Sequence, residues 1–178
     1  VLAIAPYGVR PRPMPPRGGV KGVVPGIRPE DKLLLWNGTI IEWYDAASLI
    51  HAVHRLSLER DDVKLVFLGT EHPHSFDAGR FRGMGGGAVR VAYELAQELG
   101  ILDTHVFFNF GWADDETTER YLADADIGVA TYFDNLETRF SFRVRFLDLL
   151  WAGLPIVSTR GDVVSEMVDK RGLGISVP

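Results

Sequence analysis

Three polar side chains in an otherwise apolar stretch could do chemistry together. The segment Arg139–Pro155 is apolar almost all round, yet Ser141, Arg145 and Asp148 follow one another at i, i+4 and i+7. At 3.6 residues per turn, this spacing places the three side chains on one stripe of a helix. We therefore take the stripe as the candidate binding site.

The start of this predicted helix favours an anionic ligand. Ser141 is a suitable N-cap, and Arg139, Arg143 and Arg145 lie within two turns of it. Free backbone N–H groups and the positive end of the helix dipole attract a negative charge there, whereas arginines in the first turn are unfavourable for an isolated helix. A bound anion would reverse that penalty. The alternative is a solvated helix face on which Arg145 and Asp148 form an ion pair.

The remaining faces of the predicted helix should be buried. They carry Phe142, Val144, Phe146, Leu147, Leu149, Leu150 and Trp151. Gly153 ends the helix and Pro155 cannot continue it. The β-branched residues at 156–159 then predict a buried strand.

Strands that alternate with helices must position this segment. Apolar runs predict strands at 33–36, 64–68, 106–108, 127–131, 156–159 and 174–177, and helical patterns fall at about 45–58, 88–99, 115–123 and 162–168. Asp45 is the expected N-cap of the first helix, which should face the core with Leu49, Ile50, Val53 and Leu56. This alternation predicts an α/β fold with a parallel, doubly wound sheet.

Residues beyond the carboxyl ends of the strands are candidates for ligand binding, because doubly wound sheets bind their ligands there. Gly38 and Thr39 follow the first strand, and a glycine lets a ligand approach backbone amides closely. Trp112 follows another strand and offers a flat apolar surface for a base or a sugar. A tryptophan half-buried under a loop is the alternative interpretation.

Two stretches interrupt the alternation. Residues 1–5 predict a short strand, and the stretch from Pro6 to Pro29 holds seven of the ten prolines. We therefore predict a hinge or solvated linker at 1–32 and the ligand-binding domain at 33–178. The stretch Glu71–Gly87, rich in His, Gly and Arg, predicts a loop without a dinucleotide or metal-binding motif.

The composition excludes several classes of protein. The net charge of −5 argues against a general nucleic-acid binder, and no apolar run approaches the roughly 20 residues of a membrane span. Without cysteine there is no disulfide or thiolate chemistry, which fits a cytoplasmic protein. Because the 178 residues begin at Val1 rather than methionine, we expect a piece of a longer protein.

Several short motifs occur together in a characteristic order. They are Gly38 with 49–53 behind it, 65–69, 106–107 with Gly111 and Trp112, 123–129, and above all 141–158 followed by Gly161 and Glu166. Over nearly the whole chain they resemble the C-terminal, nucleotide-sugar-binding half of GT-B glycosyltransferases of family 4. The resemblance implies a Rossmann-like parallel sheet flanked by helices, one half of a GT-B fold.

The resemblance also implies roles for individual residues. The family carries two glutamates separated by seven residues, and Asp148 stands in place of the second, which binds the ribose hydroxyls of the donor. Phe140 stands in place of the first, so Glu137 is the nearest carboxylate that could act at the sugar. Thr39 and Tyr44 occupy the positions of the basic residues that clamp the diphosphate in the family. The three arginines at 139, 143 and 145 are the candidates to replace them.

The implied reaction is retaining transfer of a sugar from a nucleotide diphosphate to an acceptor hydroxyl, with no cofactor and no obligatory metal. The predicted donor-binding residues are Gly38, Thr39, Trp112, Arg139, Ser141, Phe142, Arg143, Arg145 and Asp148, with Glu137 as the catalytic residue. The acceptor would bind a missing N-terminal domain, which could also place the protein at the inner face of a membrane. The chain alone should therefore bind the donor with little turnover. The alternatives are a GT-B-like sugar-nucleotide epimerase and a non-catalytic binding or scaffold domain.

Overall fold

A parallel sheet with helices on both faces forms the domain. The structure is a computed structural model that describes residue 8 and residues 13–70 and 86–178. The elements in chain order are β1 Lys32–Asn37, α1 Ala46–Ser57, β2 Val63–Leu68, α2 Gly86–Glu98, β3 Val106–Phe108, α3 Asp115–Asp124, β4 Ile127–Ala130, α4 Leu136–Phe140, α5 Arg145–Trp151, β5 Ile156–Thr159, α6 Val163–Arg171 and β6 Gly174–Val177. The predicted Rossmann-like α/β fold is confirmed.

The order of the strands creates a crevice at the centre of the sheet. The strands lie in the order β3-β2-β1-β4-β5-β6, and every neighbouring pair is parallel. The chain therefore winds outward from β1 in one direction and from β4 in the other. Such a reversal leaves the loops beyond two adjacent strands diverging, and ligands bind between them.

Two apolar clusters cover the two faces of the sheet. Trp36, Ile50 and Phe67 belong to the cluster under α1 and α2, while Phe146 and Leu149 belong to the cluster under α3, α5 and α6. Helix α5 lies very close to the sheet, because a Cβ atom built on Gly128 of β4 would come within 2.6 Å of the Leu149 side chain. Residue 128 must therefore be small for α5 to reach its position.

The ends of the helices largely follow the capping signals in the sequence. Asp45 accepts a hydrogen bond from the Ser48 backbone at 3.0 Å and caps α1 as predicted. Gly153, with φ of +67°, follows α5 and ends it as predicted. Leu56 is 39% exposed in the last turn of α1, so its predicted place in the core is wrong.

Residues 18–31 lie against the domain, although the sequence suggested a solvated linker. Val20 and Ile27 are 0% and 3% exposed, respectively. The carboxylate of Asp124, at the end of α3, accepts backbone hydrogen bonds from Gly18 at 2.7 Å, Val20 at 2.6 Å and Lys21 at 3.0 Å. The predicted strand at 1–5 and residues 71–85 of the predicted loop lie outside the described residues, and Gly86 and Gly87 begin α2.

The helix predicted to open at Ser141 begins only at Arg145, and a separate short helix precedes Ser141. Helix α4 lies between β4 and Ser141, where the sequence pattern predicted no helix, and Ser141 terminates it with φ of −67° and ψ of 130°. Helix α5 begins only at Arg145, and its N-cap residue, Val144, makes no side-chain capping bond. The prediction that Ser141 caps the helix and offers free amides to an anion is therefore wrong, since its own N–H donates to the Glu137 carbonyl at 2.8 Å.

Arg143 accounts physically for the break. Its side chain turns into the interior and donates to the buried Asp162 carboxylate at 2.8 Å and to the Thr138 carbonyl at 3.1 Å. A helix that opened at Ser141 would keep Arg143 on a helical stripe, whereas the non-helical residues 141–143 let its side chain reach the N-cap of α6. Phe142 and Val144, predicted to be buried, are consequently 54% and 43% exposed.

Candidate functional site

The turn after β1 brings backbone close to α5. Gly38 has φ of +113°, a conformation that residues with a side chain rarely adopt. Its N–H donates to the Leu68 carbonyl at 2.8 Å. A Cβ atom at this position would lie 3.2 Å from Nη2 of Arg145. Glycine is therefore required both by the backbone conformation and by the arginine that lies against it.

Hydrogen bonds join the turns that follow β1, β2 and β3. The hydroxyl of Thr39 donates to the Thr70 carbonyl at 3.3 Å, and the hydroxyl of Thr70 donates to the Asn109 carbonyl at 2.6 Å. A Cβ atom on Gly69 would lie 3.8 Å from Cβ of Ala113, the residue after Trp112. The loops at this edge of the sheet thus support one another and extend the candidate site towards Trp112.

Three aromatic residues, Trp36, Tyr44 and Tyr132, form a cluster beneath the site. The Tyr44 and Tyr132 rings meet edge to face at 5.0 Å between centroids, and Tyr44 lies 5.6 Å from Trp36. Tyr44 and Tyr132 also pair as an isolated antiparallel bridge between the loops after β1 and β4. This aromatic cluster holds the two loops together at the central crevice.

Tyr132 presents a neutral phenol within the aromatic cluster. Burial raises the pKa of Tyr132, although the positive charges of Arg145 and Arg143 oppose that shift. The ring is therefore protonated at neutral pH. The aromatic cluster offers the two arginines ring faces rather than a counter-charge.

Arg145 reaches from α5 across the turn after β1. Its Nη2 atom donates to the Tyr44 hydroxyl at 3.1 Å and lies 3.4 Å from the Thr39 carbonyl oxygen. The guanidinium carbon is 4.5 Å from the Tyr44 ring centroid and 5.5 Å from that of Trp36. Its Nη1 atom is buried and has no hydrogen-bond partner among the described residues. Arg145 thus lies between Thr39 and Tyr44, the two positions at which the resemblance led us to expect basic residues.

Asp148 lies one turn further along α5 and faces the end of β1. Its Oδ2 atom is 3.4 Å from Nδ2 of Asn37, the last residue of β1. Arg145 and Asp148 therefore both face the loop after β1, and the alternative of a solvated helix face is wrong for these two residues. The structure brings Arg145 together with Gly38 and Thr39, and Asp148 together with Asn37, the residue before Gly38.

Arg143 lies in the interior rather than at the cleft. It is 5% exposed, its guanidinium carbon lies 3.2 Å from the Tyr132 ring centroid, and its ion pair with Asp162 is buried on both sides. Its donors are directed to protein acceptors, namely Asp162 and the Thr138 carbonyl. The geometry therefore gives Arg143 a role in packing within the interior.

The predicted residues on and beside α4 interact with each other. Arg139 makes two hydrogen bonds of 3.0 Å to the exposed Asp134 carboxylate. The Ser141 hydroxyl donates to the Glu137 carboxylate. None of these described contacts joins α4 to Arg145 or Asp148. The described partner of Arg139 is therefore Asp134, and that of Glu137 is Ser141.

Two aromatic side chains that we predicted to contact the ligand are exposed to solvent. Trp112 is 59% exposed in the loop after β3, and Phe142 is 54% exposed in the segment between α4 and α5. Both lie at the edge of the sheet where ligands are expected. The exposed part of the Trp112 side chain is available as a contact surface, while the remainder is covered by the protein.

Asn37 is the neighbour of the site that the sequence analysis missed. It is 4% exposed, and its side-chain amide approaches both Asp148 and the Arg145 carbonyl. A signal was present, because an asparagine that ends an apolar strand directly before a turn glycine obeys the same strand-end rule that selected Gly38.

The residues that the structure describes show neither a cluster of metal-ligating side chains nor a membrane-spanning helix. Within residues 13–70 and 86–178, His, Asp and Glu side chains form no group of three or more that could hold a metal ion. Of the helices described, none has the length and hydrophobicity to span a bilayer.

Comparison with known families gives a match over most of the chain. The profile of the family Glycosyl transferases group 1 matches residues 31–178. No curated protein sequence matches the chain.

Solved glycosyltransferase structures share the fold. WaaG, a glycosyltransferase involved in lipopolysaccharide biosynthesis, is 20% identical with a TM-score of 0.63, over 85% of this chain and 35% of WaaG. The C-terminal domain of LpcC, a group 1 family protein from Francisella tularensis, is 14% identical with a TM-score of 0.54, over 80% of this chain and 74% of that one. HepE of Anabaena, solved with UDP and glucose, is 14% identical with a TM-score of 0.56, over 78% of this chain and 32% of HepE. The chain thus spans about a third of the length of WaaG and of HepE.

Proposed function

The chain belongs to the family Glycosyl transferases group 1, and we propose that it is the C-terminal domain that binds the nucleotide-diphosphate sugar from which a glycosyl group is transferred. The fold shared with WaaG and with the C-terminal domain of LpcC supports this assignment. HepE was solved with UDP and glucose, which supports a sugar nucleotide as the ligand class. Membership of family 4 is part of the proposal.

The pair formed by Arg145 and Asp148 carries the proposal. Arg145 lies against the glycine turn after β1, and Asp148 lies beside the last residue of β1, so a cation and a carboxylate lie close to the end of β1. In our proposal Arg145 binds the diphosphate, because a guanidinium forms strong charge-assisted hydrogen bonds to phosphate. Asp148 accepts hydrogen bonds from the ribose hydroxyls.

The state of Arg145 supports its proposed role. Leaving a buried N–H group without a partner costs about 1–3 kcal/mol, and its Nη1 atom is in that condition. The contact of 3.4 Å from Nη2 to the Thr39 carbonyl is also long for a hydrogen bond. A phosphate oxygen would satisfy a guanidinium that the protein holds loosely.

The proposed chemistry is the cleavage of the glycosyl–phosphate bond with transfer of the sugar to an acceptor hydroxyl and retention of the anomeric configuration. Negative charge develops on the terminal phosphate oxygen as the bond breaks, and a fixed cation beside it lowers the barrier. Arg145 supplies that cation in our proposal, without an obligatory metal. The acceptor would bind a domain that this chain does not include.

The other predicted site residues differ in how well their surroundings suit ligand binding. Trp112 and Phe142 are exposed and could contact the base or the sugar. Glu137 stays our candidate for the carboxylate near the sugar, held by the Ser141 hydroxyl. Arg139 would have to leave Asp134 before it could bind a phosphate.

The experiment that tests the proposal measures binding of nucleoside diphosphates and their sugars. UDP-, GDP- and dTDP-linked sugars are titrated against the chain and against the isosteric, neutral variant Asp148→Asn. We expect the best ligand to lose about 10- to 100-fold in affinity, since hydrogen bonds to a charged group contribute about 1.5–3 kcal/mol. The variant Glu98→Gln, which neutralises an exposed carboxylate at the end of α2, is the matched control. Unchanged affinity in Asp148→Asn would remove Asp148 from the site.

A non-catalytic scaffold is the second candidate function. The departures from the family pattern favour it, because Thr39 and Tyr44 are not basic and Phe140 is 85% exposed where a carboxylate is expected. If none of the sugar nucleotides raises the melting temperature at millimolar concentration, the scaffold interpretation replaces ours.

A further inference from the structure

Asn37 occupies a position at which the site and the core meet. It is the last residue of β1, directly before Gly38, and it is 4% exposed. On one side lies the aromatic cluster around Trp36, and on the other lies the first turn of α5. A polar side chain at the end of a central strand is costly to bury unless its hydrogen bonds are made.

The amide group of Asn37 connects two features of α5. Its Nδ2 atom lies 3.3 Å from the Arg145 carbonyl oxygen and 3.4 Å from Oδ2 of Asp148. One amide thus approaches both the backbone that begins α5 and the carboxylate one turn later. Both acceptors belong to residues of the proposed donor site.

These contacts are a poor source of stability. Both distances exceed the usual range for N–H···O hydrogen bonds. The Oδ1 atom of Asn37 is buried and has no hydrogen-bond partner among residues 13–70 and 86–178. Replacing the amide by an apolar group of similar shape removes the desolvation cost of the unpaired Oδ1 atom, which offsets the loss of the two long contacts. A buried amide with weak contacts therefore calls for an explanation other than stability.

We propose that Asn37 is a positioning residue that fixes the Asp148 carboxylate and the first turn of α5 for binding the donor nucleotide. The inference rests on the proposed function and adds to it a residue that does not touch the ligand. The amide acts through Asp148: it donates to one carboxylate oxygen and leaves the other oriented for the ribose. Without it, the carboxylate loses one of the contacts that orient it, and part of the binding energy is spent on orienting it.

The first test is the variant Asn37→Leu. The probe is whichever of UDP, GDP or dTDP binds the unaltered chain most tightly. We expect an affinity loss of about tenfold, as for a weak hydrogen bond to a charged group, together with an unchanged or higher melting temperature. A residue with a purely structural role would lose stability and keep its affinity. Unchanged affinity in a folded Asn37→Leu chain overturns the inference.

A double-mutant cycle identifies the partner through which Asn37 acts. If Asn37 positions Asp148, then adding Asn37→Leu to Asp148→Asn costs little further affinity, because the two changes remove the same interaction. Additive losses overturn the positioning role. Should Asp148→Asn weaken binding while Asn37→Leu does not, the proposed function stands and this inference fails. If none of the three nucleoside diphosphates binds the unaltered chain, both fail.

The isosteric variant Asn37→Asp keeps the test open if the leucine variant does not fold. At pH 8 its added negative charge faces Asp148, so the affinity relative to the unaltered chain should fall at least tenfold. Near pH 5 a protonated carboxyl at position 37 can donate to Asp148 as the amide does, and the ratio of affinities should recover. A ratio that does not change with pH contradicts the inference.

Discussion

Arg145 brings a cation to the turn after β1 from a helix that lies far along the chain. Thr39 and Tyr44 lack the charge that the family resemblance led us to expect, yet both contact the guanidinium of Arg145. The cation therefore reaches the same turn from α5 instead of from the loop after β1. The sequence offers three arginines as candidates for binding the diphosphate, and only the structure separates Arg145 from Arg139 and Arg143. One-dimensional spacing gives no information on which arginine turns inward.

Replacing Arg145 should reduce nucleotide affinity far more than stability. In Arg145→Met we expect the affinity for the best nucleoside diphosphate to fall by about 10- to 100-fold, because one charge-assisted interaction with phosphate is lost. Stability should change by less than about 1 kcal/mol, since the lost stacking on Tyr44 is offset by removal of a buried, unsatisfied N–H group. Calorimetric titration and thermal unfolding measure the two effects. Arg171→Met, at the exposed end of α6, is the control.

Among the helices and strands, the main difference from the sequence prediction is the non-helical stretch between α4 and α5. Helical periodicity includes 141–144, so the pattern alone predicts a helix that opens at Ser141. The buried ion pair between Arg143 and Asp162 overrides it. The partners are nineteen positions apart, and a pattern confined to one segment contains no sign of such a contact. By contrast, Asp45 and Gly153 were predicted correctly, because capping is local.

Removing the charge of Arg143 should destabilise the domain. In Arg143→Met the Asp162 carboxylate stays buried without its partner, and such a loss costs about 3–5 kcal/mol. Urea unfolding followed by circular dichroism measures it. Arg139→Met removes an exposed ion pair and should leave the unfolding midpoint nearly unchanged. Equal midpoints for the two variants would show that the ion pair with Asp162 does not hold segment 141–144.

The whole molecule follows the sequence prediction in its architecture and departs from it at the amino-terminal segment. Alternating strand and helix patterns were sufficient to predict a parallel sheet, because few topologies are compatible with them. The docking of residues 18–31 depends on carboxylates about a hundred positions away, on Asp124 and Asp126. Prolines in that segment suggested a linker, but its apolar residues Val20 and Ile27 reach the core.

The docking of this segment should depend on pH through Asp124. Burial alone would raise the pKa of Asp124, but backbone hydrogen bonds from Gly18, Lys21 and Val20 outweigh it, and the pKa lies below its usual range. Because the folded pKa is lower than the unfolded one, the stabilisation is complete above about pH 4 and disappears as the pH falls through the folded value.

The variant Asp124→Asn measures this contribution. It should lower the free energy of unfolding by about 1–3 kcal/mol at pH 7. The amide has only one acceptor oxygen and no negative charge, so the three backbone hydrogen bonds are partly lost and the remaining ones are weaker. The difference from the unaltered chain should shrink below about pH 4. A difference that is constant from pH 7 to pH 3 would mean that the carboxylate charge does not hold the segment.

The isolated chain should bind a donor without transferring its sugar. A ligand present at about 100 times its Kd stabilises the folded state by about 2.7 kcal/mol, which corresponds to a rise in Tm of roughly 5–10 °C for a domain of this size. We expect such a rise with one class of sugar nucleotide and no glycosylated product when simple acceptor alcohols are added. Appreciable transfer by this chain would contradict the expectation, and chromatography of the products decides it.

The close approach of Gly38 and Arg145 also restricts how this protein can diverge over generations. A side chain at position 38 would meet Nη2 of Arg145 at 3.2 Å, so it would displace the guanidinium from Tyr44. Loss of the arginine, in turn, would leave the turn without a cation. If Arg145 binds the donor as we propose, a substitution at either position alone would weaken that binding. We therefore expect descendants of this protein to keep both residues or to exchange both.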